Sequence, residues 1–473
     1  MAYLSSPRLL IGGTFSGVGK SFFTLGLAVA LRRRGLSVSC CVTGQALQQA
    51  SILHRVSRRY TRVLDRRMLK PEEVLSAMAQ AGIGADIILI DGKGGLYDGI
   101  GPGDARGSDA EIAIMSRTPV VLLTDVAPFS NSMAALVKGY SQFTSEAVVF
   151  ALAGNFMEGF DREDPLLPNP VLDYVNESLA TYRLPTYVGG LPQRALMSPL
   201  PPGGVFQEIN YTTLPVQFLQ DLGSLVINHV DIDRMLEIAN AAPQIEFDST
   251  FPDPLRRRCR IAVTDDSCFG LCYQDNLDLL RYYGAELIPF SPLLDMKLPD
   301  DIGGLYVTGA YLKTYGEELA SNAQMRNAIL AFANAGGVVY SEGAGTTYLC
   351  RSYQLEQGEP YYPGVGIIHA DIAPSHSGAA FLDATTIEDS VLGMPGLTVQ
   401  GFSTGEWGLS GLSTRHAGSM LHTLKVQMDG LIPFTEGFST YSQVCSTFNF
   451  LHFSSQPRMA KALVEAAAVA PKG

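Results

Sequence analysis

The chain holds no Cys-x-x-Cys pair and no two histidines four apart, so neither a zinc knuckle nor a dithiol redox motif is indicated. Its seven cysteines, Cys40, Cys41, Cys259, Cys268, Cys272, Cys350 and Cys445, are odd in number and scattered, which is the pattern of buried thiols. Long apolar runs are missing too. Phe22 to Leu31, between Lys20 and Arg32-Arg33-Arg34, is too short to span a bilayer, and the protein is expected to be cytoplasmic. Positive charge is scarce: 34 Lys and Arg against 46 Asp and Glu give −12, which argues against a sequence-independent hold on nucleic acid or anionic membrane. No short repeat or low-complexity tract occurs. What remains is an ordinary globular composition, 46% hydrophobic and 17% charged over 473 residues, enough for two or three domains with large cores.

The stretch Gly12-Gly13-Thr14-Phe15-Ser16-Gly17-Val18-Gly19-Lys20-Ser21 has an order of residue types that suits a phosphate cradle. It follows the strand-like run Leu9 to Ile11 and opens the helical run Phe22 to Leu31. Glycines let backbone N–H groups turn inward, the helix N-terminus favours an anion, Lys20 neutralises terminal phosphates and the Ser21 hydroxyl can ligate magnesium. Thr14, Ser16, Gly17, Val18, Gly19, Lys20 and Ser21 are therefore the candidate nucleotide-binding residues. The Walker pattern wants glycine where Thr14 stands, with Gly13 one place earlier. A plain strand-to-helix turn is the alternative.

Buried strands recur. Leu36 to Thr43, Asp86 to Asp91, Pro119 to Asp125 and Ala147 to Asn155 are apolar runs separated by helical stretches, which predicts a doubly wound parallel sheet with Gly13, Asp91, Asp125 and Asn155 at its carboxyl ends. Pro165 to Gln207 is rich in turn residues around a short strand, Pro185 to Gly189, and helical periodicity returns over Leu214 to Ile238. Pro243, Pro252 and Pro254 before Arg256-Arg257-Arg258 mark a boundary. Alternation then restarts with strands at Ile261–Thr264, Glu286–Phe290, Gly304–Thr308 and Gly337–Tyr340 and helices at Asn276–Tyr283 and Glu317–Ala335. The expected organisation is an α/β P-loop domain over 1–240, a linker over 241–258 and a second α/β domain over 259–473.

The Gly-Thr form of the P-loop resembles that of dethiobiotin synthetases and their relatives, which carry out ATP-dependent ligation. Gly92-Lys93-Gly94-Gly95-Leu96-Tyr97-Asp98-Gly99 resembles the loop after the Walker B strand in the cobyrinic acid a,c-diamide synthase family. Asn131 to Ala135 with Gly139, Gly154-Asn155, Asn276 to Leu280, Gly284 to Leu287, Phe290 to Leu293, Glu342 and Tyr348-Leu349 match in the same order. The resemblance implies a P-loop synthetase fold followed by a class I glutamine amidotransferase-like domain. It implies ATP and Mg2+ as cofactors and a tetrapyrrole whose carboxylates are phosphorylated and then amidated. By resemblance Ser21 and Asp91 serve the metal, Asp98 and Tyr97 are catalytic, and Asn155 reads adenine. Asp91 stands where the family usually has glutamate.

Departures are as informative. The family's Tyr-Ala-Glu-Cys-Gly-Gly turn appears as Tyr340-Ser341-Glu342-Gly343-Ala344-Gly345, with glycine at the nucleophile. Its Tyr-x-His-x-His-Phe element appears as Phe448 to Phe453, with Phe450 at the base and only His452 kept, and its glycine run is reduced to Thr308-Gly309-Ala310-Tyr311-Leu312-Lys313. In the first domain the family's Gly-Pro-Asp-Tyr-Ile-Asp becomes Gly44-Gln45-Ala46-Leu47-Gln48-Gln49, with no acid. Proline- and glycine-rich sequence around Pro201-Pro202-Gly203-Gly204 replaces a basic element. Two readings follow: an amide-forming ligase fed by free ammonia or by an ammonia-supplying partner, and a non-catalytic nucleotide-binding paralogue that is an accessory or chaperone in tetrapyrrole metabolism. The second domain is expected to lack glutaminase activity, and a homodimer is an allowed assembly. A P-loop partitioning ATPase is a third reading, against which the matched second domain counts.

Overall fold

The structure is a computed structural model and describes residues 2–125, 131–144, 146, 148–157, 170–192, 214–375, 377–409, 421–428, 431–439 and 441–472. The chain divides into two compact units, Met1–Ser249 and Thr250–Gly473.

In the first unit the elements run β1 (Ala2–Leu4), β2 (Arg8–Gly13), α1 (Lys20–Arg33), β3 (Val38–Thr43), α2 (Leu47–Ser57), β4 (Arg62–Leu64), α3 (Pro71–Gly82), β5 (Ile87–Asp91), α4 (Asp109–Met115), β6 (Val120–Asp125), α5 (Asn131–Gln142), β7 (Val149–Met157), α6 (Pro170–Thr181), β8 (Thr186–Pro192), α7 (Val216–His229), α8 (Ile232–Asn240) and β9 (Ile245–Phe247). Seven of the strands form one parallel sheet in the order β4-β3-β5-β2-β6-β7-β8. Every residue of β2, β3 and β5 is buried, as continuous apolar strands covered on both faces require. Ile11 pairs with Asp91, Gly13 with Leu123 and Asp125 with Asn155, so the expected residues share the carboxyl edge. That edge is where a doubly wound sheet presents its ligands.

Two long helical expectations split. Leu214 to Ile238 breaks because Val230 bridges to Gly189 and the Asp231 carboxylate, accepting from Arg234 N at 2.9 Å, caps a new helix. Asn322 does the same within 317–335, its Oδ1 accepting from Met325 N at 3.2 Å. The stretch 241–258 carries β9, which pairs antiparallel with β1, and the division between units falls inside that stretch. Of Pro165 to Gln207, only α6 and β8 with their joining turn lie inside the described residues.

The second unit is built on a ten-stranded sheet in the order Ala285–Phe290, Cys259–Thr264, Gly304–Val307, Val338–Glu342, Val444–Thr447, Phe434–Ser439, Leu421–Met428, Ala380–Thr386, Thr398–Ser403, Phe450–Leu451. The first five strands are parallel and the rest antiparallel. Alternate residues feed two cores: Ala262, Leu305, Val307 and Val339 face one, while Ile261, Val263, Tyr306 and Tyr340 face the other. The antiparallel half was not foreseen. Its strands are half-buried and their short alternations sit among Gly, Ser and Thr, where the buried-run signal is weak.

Arg8 shows what holds the start of the central strand. Its side chain is fully buried and donates to Ser116 O at 2.8 and 3.0 Å, to Ser6 O at 3.1 Å and to Pro243 O at 2.5 Å, joining residues far apart in sequence. Burial pushes the guanidinium down to about 10. Arg8→Leu leaves those carbonyls unsatisfied and is expected to cost about 2 kcal/mol, read as a lower urea midpoint with an unchanged slope.

Candidate functional site

Gly13 ends β2 facing Lys20, and a Cβ there would lie 2.8 Å from Val18 Cγ1 and 2.9 Å from Lys20 Cδ. Glycine at 13 is therefore a condition of the lysine's position. Gly17 and Gly19 hold φ of 89° and 91°, which turns the loop into α1 without strain. Thr14 is fastened to β6, its N–H on Leu123 O at 3.0 Å and its hydroxyl on Thr124 Oγ1 at 3.3 Å. Ser16 lines a cleft of about 220 Å3 with Thr43, Gly44, Lys93, Asp98 and Asp109 among its walls. Val18 is buried, and its carbonyl accepts from Asn155 Nδ2 at 3.0 Å.

Lys20 is 4% exposed and donates to Gly94 O at 2.7 Å and Phe15 O at 3.3 Å. Burial lowers its pKa, and Asp109, Asp91 and Asp98 oppose that shift. Asp91 lies at the end of β5, buried; desolvation raises it to about 7 against hydrogen bonds from Ser21 and Thr24 and the charge of Lys20. Ser21 and Asp91, the two expected metal ligands, do meet, but around a third group. Gln49 Nε2 on α2 donates to Ser21 Oγ at 2.7 Å and to Asp91 Oδ2. Thr24 Oγ1 donates to the other Asp91 oxygen at 3.2 Å. An amide nitrogen occupies the point where Mg2+ would need oxygen ligands, so the donor set does not fit that ion there. Among the described residues no group of three or more His, Cys, Asp or Glu is arranged to hold a metal.

Asp98 and Tyr97 part company. Asp98 lines the cleft with its carboxylate accepting from Gly95 N at 2.9 Å. Tyr97 turns to α5, donating to Tyr140 O at 2.6 Å, stacking on the Tyr140 ring and meeting the Phe143 ring at a tilt, while Tyr140 OH donates to Thr14 O at 2.5 Å. Tyr97 is thus a brace for the cradle in this geometry. Asn155 is fully buried, and its Oδ1 has no protein partner.

Sequence reasoning missed Asp109. It opens α4, is 3% exposed, accepts from Thr43 Oγ1 at 2.6 Å and Lys93 N at 3.3 Å, and keeps Oδ2 without a hydrogen bond. Burial raises it to about 6, with Lys20 opposing. A carboxylate at a helix start reads as an ordinary cap, so only the approach of β3 and the loop after β5 distinguishes it.

In the second unit the turn after Val338–Glu342 places Gly343 at φ 56°, ψ −138°, a conformation open to glycine. A Cβ at Gly343 would overlap the Phe450 ring, and one at Gly309 would lie 2.5 Å from the same ring. The aromatic side chain fills the space above the turn, so the two replacements are one packing solution. Cys350 is buried and donates to Thr346 O at 3.2 Å, with burial raising its thiol, which makes it a core thiol. His452 is buried under Tyr273, ring centroids 4.3 Å apart, with Nε2 3.9 Å from Asp275. Glu342 is buried, accepts from Tyr306 OH at 2.7 Å and Tyr340 OH at 3.2 Å, and is pushed up to about 8 by desolvation.

The CobB/CobQ-like glutamine amidotransferase domain family matches residues 260–403. The chain is 32% identical over 355 residues, 75% of each chain, to a cobyrinate a,c-diamide synthase of Archaeoglobus fulgidus. It is 34% identical over 359 residues, 75% of this chain and 76% of the relative, to one from Syntrophotalea carbinolica. Over 464 residues, 97% of this chain and 98% of the relative, it is 29% identical to one from Leptospira interrogans.

Two outcomes are expected at the turn. Gly343→Cys alone should lower stability and release no glutamate from glutamine, because Phe450 holds the space; Gly343→Cys with Phe450→His should recover part of the stability, the positive φ at 343 still opposing a side chain, read by thermal melting beside a glutamate assay. For Glu342, the folded chain keeps a proton that the unfolded chain has released above a pKa of about 4.3. Its contribution to stability is therefore greatest in acid and falls as pH rises from about 5 to 8. Glu342→Gln should flatten that fall, seen in urea midpoints taken across the window against wild type.

Proposed function

The chain belongs to the cobyrinate a,c-diamide synthase family, and from that premise we propose that it amidates side-chain carboxylates of a tetrapyrrole, with ATP as the activating nucleotide and with ammonia that its own second unit does not make. The observation that carries this reading is the cradle: Lys20 is buried beside Asp91, Asp98 and Asp109 and donates to the carbonyls of Phe15 and Gly94, and Gly94, Asp98 and Asp109 line the cleft. ATP supplies, when bound, the phosphoryl group that turns a poor electrophile into a reactive one. In this reading Mg2+ arrives with the triphosphate.

The chain's own residues have distinct tasks. Lys20 and the N–H groups of the loop balance the phosphates. Asn155 Oδ1 offers an acceptor to the exocyclic amine of adenine, and the anchored Nδ2 fixes its direction. Lys93 and Arg67 give the cleft positive charge for an anionic substrate. Asp98, fixed by Gly95 N, acts on the reacting group. The Phe450 ring over Gly343 is the reason for placing the ammonia source outside the chain. The same ring, together with Gln49, favours the second reading, a nucleotide-binding accessory protein without turnover. No described helix is long and apolar enough to cross a membrane, and the cytoplasm is the proposed compartment.

Calorimetry with ATP and mass spectrometry of cobyrinate incubated with the protein test the reading. Lys20→Ala is expected to weaken ATP at least about tenfold, and equal affinity would refute the site. Asp98→Asn should keep binding and lose turnover. Amide products with ATP and ammonium, and none with glutamine, are the expected result; ATP binding without any amidation would instead support the accessory reading.

A further inference from the structure

We propose that the Gln49 amide stands in for a protein-held divalent cation, so that the P-loop of this chain takes its nucleotide without a metal ligated by the protein. The inference rests on the nucleotide reading above and deepens it. Ser21 Oγ and Asp91 Oδ2 are the pair expected to ligate the metal, and both are engaged by one nitrogen, Gln49 Nε2. The remaining Asp91 oxygen accepts from Thr24. Asp91 Oδ2 and Ser21 Oγ therefore both face the same amide nitrogen, and the other Asp91 oxygen faces the Thr24 hydroxyl, which also lies 3.0 Å from Lys20 O.

The amide's orientation follows from chemistry. The NH2 end of Gln49, with its two protons, faces both Asp91 Oδ2 and Ser21 Oγ, each able to accept one of them, and the carbonyl faces away. Reversing the amide would set two acceptors against each other. Mg2+ demands oxygen at about 2.0–2.1 Å in octahedral array, and a nitrogen carrying hydrogens at that point excludes it. Charge argues the same way. A carboxylate at 49 would oppose Asp91 and call for a divalent cation between them, whereas the neutral amide satisfies Asp91 by hydrogen bonding and leaves Lys20 as the cation nearby. Asp109 does not supply the missing ligand: one oxygen accepts from Thr43 and Lys93 N, and the other lies against Gly92, where a Cβ would overlap it.

The test is ATP affinity by calorimetry on the full chain at constant ionic strength, in Mg2+ and in EDTA. Wild type should bind with constants within about threefold of each other in the two buffers. Gln49→Glu, the same shape with a charge, should bind at least about tenfold more tightly in Mg2+ than in EDTA. Lys20→Ala, weakened in both buffers, ties the signal to the cradle. A wild-type affinity that falls about tenfold or more in EDTA overturns the inference while leaving the nucleotide site standing. Wild-type binding in neither buffer, or binding indifferent to Lys20→Ala, overturns the site and the inference with it. Mn2+ titrated against the nucleotide-free protein gives an independent reading: the electron paramagnetic resonance signal of free Mn2+ should persist with wild type and fall with Gln49→Glu, and loss of the signal with wild type overturns the inference.

Discussion

The first unit depends on burying one ammonium. Lys20 sits below the surface where desolvation works against its charge, and the arrangement holds only because carboxylates and carbonyls converge on it from separate parts of the chain. Gly94 and Phe15 supply the carbonyls, and Asp91, Asp98 and Asp109 the field. Each comes from the carboxyl edge of the sheet or from a loop leaving it. Glycine at 13, the register of β2 with β5, and the turn that brings Gly94 back are all conditions of that single charge. The same convergence makes the edge electrostatically tense. Desolvation raises both Asp91 and Asp109, with the charge of Lys20 opposing the rise at each.

In the second unit the turn after Val338–Glu342 is packed as core. A strained turn is costly in a fold unless something requires it, and here Gly343 keeps its left-handed conformation with no side chain to present. Phe450 explains the persistence. Its ring packs against the backbone at Gly309 and Gly343, which rewards absence of a Cβ at both positions and converts a pocket into close packing. Glu342 beside the turn is held in the same spirit, between two tyrosine hydroxyls and without access to water.

Much of the fold was legible because it rests on local pattern. Buried β-branched runs at Asp86 to Asp91 and Pro119 to Asp125 could only be central strands, and Gly-x-Gly-Lys-Ser after a strand fixes its own conformation through the two glycines with positive φ. The breaks at Asp231 and Asn322 were equally local but were masked by helical periodicity that runs across them. The antiparallel half of the second sheet was not legible. Its strands, such as Ala380–Thr386, are half-buried, and their register is set by partners distant in sequence.

Residue identities by themselves determined which groups were present: the glycine-rich loop with Lys20 and Ser21, no acid between Gly44 and Gln49, and glycine at 343. Tertiary structure decided what those groups face. It turned Tyr97 away from the cleft, brought Asp109 against Lys20's neighbourhood, put the Gln49 amide between Ser21 and Asp91, and set Phe450 over Gly343. The reason is range. A turn or a strand is fixed by interactions over a few residues, whereas the hydrogen-bond partner of a buried side chain is chosen by the packing of strands and helices from distant parts of the chain.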